Sequence, residues 1–252
     1  MNPAASLLGF FLPLLPLAAG PVSFGDNFNS APAGSVLGGR WILNVPHHDI
    51  TLEYRITADG SNLFGQGPGN RFLALTDSVA GSPNLQFSTF FDTWLTAGRV
   101  SFRFHDPQLS ETSGNAVGLQ LRLGTSDSSP AGNTTSAFGV FLHDGALYTN
   151  APGSAFFDKH KPLATYSFSA PHTLSIVFNN GHDTRSYTEN GAKHVLAPGT
   201  MHLWLDGALV ASDLGRFNNY TAPVPVANLT INGQSSGRFF VMYLDDFVIQ
   251  PL

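Results

Sequence analysis

Apolar and polar residues alternate at a period of two through most of this chain, and Gly, Asn, Asp, Ser and Pro interrupt the alternation at short intervals. Val100 to His105 sets Val100, Phe102 and Phe104 against Ser101, Arg103 and His105. Gly118 to Leu123 sets Leu119, Leu121 and Leu123 against Gln120 and Arg122. Ile50 to Thr57 sets Leu52, Tyr54 and Ile56 against Thr51, Glu53 and Arg55, and Thr173 to Phe178 sets Leu174, Ile176 and Phe178 against Thr173, Ser175 and Val177. Successive side chains of a strand point to opposite faces, so each run offers one face to a core and one to water. No window repeats at 3.6 residues for more than two turns. The expected fold is all-β, a two-sheet antiparallel β-sandwich, with residues 21–252 forming one domain.

Turn chemistry supports the same reading. Phe138 to Thr149 is expected to fold about His143-Asp144-Gly145, and Met201 to Ala211 about Asp206-Gly207. Asp-Gly between apolar runs is a hairpin signal because both central residues of a type I′ turn need positive φ. A two-residue turn there sets Leu205 opposite Ala208 and Leu203 opposite Val210, and turns His202 and Trp204 to the other face.

The ends, the cysteines and the charge narrow the setting. Residues 1–20 are the one long apolar run and close on Ala18-Ala19-Gly20, which reads as a secretory signal peptide. No other stretch reaches the ~20 apolar residues that span a bilayer. There is no cysteine, so disulfides, thiol catalysis and a lipid-anchored Cys are excluded. An exported, disulfide-free chain points to a bacterial secreted, periplasmic or cell-surface protein. With 12 Lys+Arg against 17 Asp+Glu the net charge is −5, which excludes a phosphate-neutralising nucleic-acid binder. The chain ends at Leu252 directly after its closing apolar strand, so function is expected within the one domain.

The last third has a recognisable order. Pro171-His172-Thr173-Leu174-Ser175-Ile176-Val177-Phe178 precedes Leu203-Trp204-Leu205-Asp206-Gly207-Ala208-Leu209-Val210, then Ala227-Asn228-Leu229-Thr230-Ile231, then Tyr243-Leu244-Asp245-Asp246-Phe247-Val248. This resembles the laminin-G-like branch of the concanavalin A-like lectin/glucanase superfamily. Phe24-Gly25-Asp26-Asn27-Phe28 is similar to the opening of many exported bacterial members. The resemblance implies a jelly roll of two antiparallel sheets, one concave, that binds glycans or proteins or cuts polysaccharides.

Candidate sites follow. The superfamily's hydrolases carry Glu-x-Asp-x-x-Glu for retaining chemistry. Here the three Glu stand at positions 53, 111 and 189, so the motif is absent. A lyase on the same fold needs Arg or Gln to neutralise a uronate carboxylate and His or Tyr to take the adjacent proton. Arg103, His105, Gln120 and Arg122 supply those types if their strands are neighbours. Trp204, with His202, is a candidate sugar-stacking platform. Trp41 and Trp94 read as core anchors. Asp26 and Asp246 are candidate Ca²⁺ ligands, because first and last strands of such sandwiches often pair. His47-His48-Asp49 reads as a metal-free loop, since neighbouring strand residues diverge.

The leading expectation is a non-catalytic, lectin-like carbohydrate-binding module using Trp204, His202, Arg103, His105, Gln120 and Arg122. A polysaccharide lyase built on Arg103, His105, Gln120 and Arg122 is the alternative, and a protein-interaction module the third reading.

Overall fold

A computed structural model describes residues 22–44, 53–77, 85–108, 118–150, 161–217, 223–234 and 239–252. The expected leader, residues 1–20, and His47-His48-Asp49 lie outside the described residues. In chain order the strands begin with β1 (Phe24–Asp26), β2 (Trp41–Asn44), β3 (Tyr54–Ala58), β4 (Arg71–Asp77), β5 (Leu85–Leu95) and β6 (Ala97–His105). They continue with β7 (Gly118–Gly124), β8 (Ser136–His143), β9 (Ala146–Thr149), β10 (Ala164–Thr165), β11 (His172–Asn179) and β12 (Arg185–Glu189). The rest are β13 (Ala192–Leu196), β14 (Thr200–Leu205), β15 (Ala208–Gly215), β16 (Val226–Gln234) and β17 (Phe240–Pro251).

Two antiparallel sheets form a sandwich. The eight-stranded sheet runs β15-β14-β11-β6-β17-β4-β3, with β1 pairing the end of β17. The seven-stranded sheet runs β10-β9-β8-β7-β16-β5-β2, and β12-β13 is a separate hairpin. The alternation read from the sequence decides which side of each strand faces inward. Phe102 and Phe104 of β6, Ile176 and Phe178 of β11, Leu121 of β7 and Val140 of β8 all belong to one continuous buried cluster. Each such side chain taken from water contributes roughly 1.5–3 kcal/mol, which the cost of ordering the chain largely offsets. At one end Trp41 packs on Phe24 at 5.1 Å and on Phe247 at 5.2 Å, and Phe102 stacks on Phe247 at 5.0 Å. These rings tie the opening segment to the closing strand.

Both expected hairpins form. Asp144 and Gly145 have φ of 46° and 71°, and Asp206 and Gly207 have 50° and 77°. Leu205 pairs with Ala208 and Trp204 with Leu209 as expected, but a register shift places Ala211, not Val210, opposite Leu203. A third hairpin, β12-β13, turns on Asn190 and Gly191 with φ of 49° and 76°. It covers part of the outer face of the eight-stranded sheet, where Tyr187, Leu196, Trp204 and Val177 form a small core of their own.

Candidate functional site

The inward half of each strand is hydrocarbon, so chemistry has to sit on the outer faces. On the seven-stranded sheet the outward residues fall into rows because the register is continuous from strand to strand. Tyr148 pairs with Phe141, Phe141 with Gln120, Gln120 with Asn232, Asn232 with Gln86 and Gln86 with Asn44. At about 4.8 Å between neighbouring strands, this row crosses roughly 24 Å of sheet. A second row beside it runs Gly139, Arg122, Thr230, Ser88 and Ile42.

The rows are wired by side-chain hydrogen bonds. Asn44 Nδ2 donates to Gln86 Oε1 at 2.8 Å, and Gln86 Nε2 donates to Asn232 Oδ1 at 2.7 Å. Asn232 is buried, and among the described residues its own Nδ2 has no partner. An amide N–H buried without an acceptor costs about 1–3 kcal/mol, so it is a donor waiting for one. Ser88 and Thr230 share a hydroxyl hydrogen bond of 3.0 Å, and Thr230 Oγ1 also accepts from the Ala131 N–H at 2.8 Å. Asn228 Nδ2 donates to the Ser126 carbonyl at 2.7 Å, which seats the 126–131 loop on this face.

Arg122 is the cation of the second row. Its guanidinium lies over the Phe217 ring at 5.3 Å and, among the described residues, hydrogen-bonds to the Ala131 carbonyl at 3.4 Å. Among the described residues Nε has no partner and no carboxylate pairs with the guanidinium. Burial pulls its pKa down to about 10, so it stays charged at neutral pH. Gln120, wholly buried, stands two residues before it on the same face of β7.

The four residues grouped by the lyase expectation do not come together. Gln120 and Arg122 lie on the outer face of the seven-stranded sheet. Arg103 and His105 lie on β6, on the outer face of the eight-stranded sheet, at the opposite side of the sandwich. β6 and β7 follow one another in sequence, but the chain changes sheets between them. Arg103 sits over the Phe64 ring at 5.2 Å and 3.7 Å from Asp246. His105 is buried against Tyr243, with ring centres 5.9 Å apart, and its Nε2 lies 3.1 Å from the Phe168 carbonyl. Burial lowers the His105 pKa and favours the neutral ring.

Trp204 and His202 are likewise displaced from a binding role. The β12-β13 hairpin buries Trp204 to 4% exposure, and its indole N–H donates to the Tyr187 hydroxyl at 3.0 Å. His194 meets the same indole edge to face at 4.9 Å. No sugar ring can stack there while the hairpin is in place. Of the two Trp read as core anchors, Trp41 is buried, but Trp94 is 51% exposed near the end of β5.

The first and last strands do pair, with Asp26 opposite Phe247, so Asp26 and Asp246 line one cleft of about 390 Å³ with Asn27 and Ser30. The donor set does not fit a calcium ion. One Asp26 oxygen accepts from the Phe28 N–H and the other from Trp41 Nε1, each at 2.8 Å. Asp246 faces Arg103 and Gln66. Among the described residues no three His, Asp or Glu gather as metal ligands.

Asn232, Gln86, Asn44 and Tyr148 escaped the sequence reading. Their only signal is that they are the polar partners in apolar alternations such as Asn228-Leu229-Thr230-Ile231-Asn232, and nothing in one strand says that six strands will align them.

The class defined by this architecture is the antiparallel jelly-roll sandwich. No protein-family model matches the chain, and no curated protein matches it in sequence. Solved structures do resemble it. An endo-β-1,4-glucuronan lyase from the fungus Trichoderma reesei superposes with a TM-score of 0.54 at 11% identity, covering 92% of this chain and 96% of that one. An alginate lyase in complex with an alginate trisaccharide gives 0.54 at 13%, covering 93% and 100%. A sialidase gives 0.56 at 11% over 92% of this chain, which spans 19% of the sialidase's length. At such identities the likeness defines the fold and nothing finer.

Proposed function

We propose that the protein recognises an acidic polysaccharide on the outer face of its seven-stranded sheet, with Arg122 meeting a sugar carboxylate. The observation that carries this is Arg122 itself, a partly buried guanidinium without a carboxylate partner among the described residues. It lies beside the row that carries Asn44, Gln86, Asn232 and Gln120, in which Asn232 Nδ2 has no partner among the described residues. Amide and hydroxyl groups match sugar hydroxyls as donors and acceptors, and the guanidinium fork matches a carboxylate. The fold is shared with a glucuronan lyase and an alginate lyase, both named for uronate polymers, which supports the same ligand class.

A catalytic reading has one observation in its favour. Tyr148 stands in the same register row as Gln120, so a phenol and a carboxylate-neutralising pair share a face. Burial raises the Tyr148 pKa, which makes it a poor base unless bound ligand changes its surroundings, so binding is the stronger reading. Residues 1–20 are read as an export leader that places the protein outside the cytoplasm. One experiment tests these readings: a panel of neutral and uronate polysaccharides scored for retention and for new unsaturated ends. Retention of uronates alone supports recognition, and unsaturated ends support the lyase. Retention of neither removes the carbohydrate reading and favours a protein-interaction module.

A further inference from the structure

We propose that Ser167, His172 and Asp206 form a hydrolytic site for short acyl esters, separate from the polysaccharide-binding face. His172 opens β11 and Asp206 leads the β14-β15 turn, and the pairing of Leu174 with Leu205 brings the two together. Asp206 is fixed by its backbone: its N–H donates to the Thr173 carbonyl at 2.9 Å, and its Oδ1 accepts from the Thr173 N–H at 2.8 Å. That leaves Oδ2, which lies 2.6 Å from His172 Nδ1. The imidazole is held between Phe104 and Tyr166, with ring centres 5.5 and 5.7 Å away, and its side chain is only 11% exposed. On the other side of the ring, Nε2 stands 3.2 Å from the Ser167 hydroxyl oxygen, and Ser167 is exposed.

A nucleophile, a base within hydrogen-bond reach and a third group orienting the base are the parts of an activated serine. The Asp206 carboxylate accepts a hydrogen bond from Nδ1–H and so fixes the tautomer, which leaves the Nε2 lone pair within reach of the Ser167 O–H. The Ser167 carbonyl oxygen lies 3.0 Å from the same nitrogen and accepts a hydrogen bond from Nε2–H in the imidazolium, which then has an acceptor at each end. Phe168, Ser169 and Ala170 follow Ser167 in the loop that leads to His172.

The chemistry closes with water as co-reactant. Ser167 Oγ adds to the ester carbonyl carbon while its proton passes to His172 Nε2. The ester C–O bond then breaks, and the departing alcohol oxygen takes the proton from Nε2. Water adds to the acyl-serine with Nε2 again as base, and the serine C–O bond breaks to release the carboxylic acid and restore Ser167. The exposure of Ser167, Ser169 and Ala170 makes this an open surface rather than a deep pocket, which suits an acetyl-sized group on a larger alcohol.

The test is labelling of the intact chain with a fluorophosphonate probe, mapped by peptide mass, alongside hydrolysis of p-nitrophenyl acetate. One adduct is expected, on Ser167. Ser167→Ala, which removes one exposed hydroxyl, should abolish it. Asp206→Asn keeps an acceptor for the Thr173 N–H but turns an N–H toward His172 Nδ1. It should slow both reactions at least about 100-fold while the melting temperature holds. A folded parent that takes no label at Ser167, or labelling at an unchanged rate in Asp206→Asn, overturns the proposal, because a merely structural His172 bridge predicts both.

Discussion

Trp204 donates its indole N–H to the Tyr187 hydroxyl at 3.0 Å, and that hydroxyl meets His202 Nδ1 at 2.7 Å. The aromatic side chain that looked most like a sugar platform is therefore the anchor of the β12-β13 hairpin. Trp204→Ala should cost about 3–5 kcal/mol, as other buried Trp truncations do, read from urea denaturation. Polysaccharide retention should be unchanged, and a selective loss of retention in a variant of parental stability would return Trp204 to the ligand.

Arg122 and Arg103 separate the two outer faces. Arg122→Ala should weaken retention of a uronate polymer about tenfold or more, since a hydrogen bond to a charged group contributes about 1.5–3 kcal/mol. Neutral glucans should be unaffected, and the uronate interaction should weaken with added salt. Arg103→Ala, on the other side of the sandwich, should leave retention as it was. Affinity electrophoresis of the two variants checks this, and equal losses would mean that neither face is the binding surface.

Asp245 gives the fold a pH dependence. It is fully buried, accepts from Asn70 Nδ2 at 2.9 Å, and burial pushes its carboxyl up to about 7. Its folded pKa thus lies above its unfolded value of about 4, and between the two the native state keeps a proton that the unfolded chain has lost. Stability from this group is fully present below about pH 4 and is lost as pH rises through about 7. Urea midpoints across that window should fall more steeply for the parent than for Asp245→Asn, and parallel curves would refute the assignment.

Gly139 is the residue that lets Phe217 lie over Arg122. A Cβ there would come within 2.7 Å of Asn150 Oδ1 and 2.9 Å of the Phe217 ring. Gly139→Ala should destabilise the fold by about 1–3 kcal/mol through overpacking and lower uronate retention by moving Phe217. A variant with parental stability and parental retention would show that the ring is free to shift without consequence.

What the sequence made legible follows from what is local. Alternation marked β6, β7 and β11, and Asp-Gly marked both long hairpins, because strand period and turn φ are properties of a few neighbouring residues. The β12-β13 hairpin was missed although Asn190-Gly191 announces its turn, because its strands are mostly polar and bury little beyond Tyr187 and Leu196. Sheet membership was not legible at all. Nothing in Arg103, His105, Gln120 or Arg122 says that β6 and β7 part company, and only long-range pairing reveals the amide row that joins Asn44 to Tyr148. Trp204 and Trp94 were exchanged for the same reason: what covers a side chain is decided by distant parts of the chain.

β17, the last strand described, lies at the middle of the eight-stranded sheet, flanked by β6 and β4 and capped by β1. β6, paired with β11, and β4, paired with β3, each lack their second sheet neighbour until residues 240–251 arrive. A chain emerging from a ribosome therefore carries two half-sheets with open edges until its closing residues appear. Such non-local closure is slow, and it leaves unpaired edges exposed to other chains while it waits. The dozen residues that finish the sandwich also set when it can first exist.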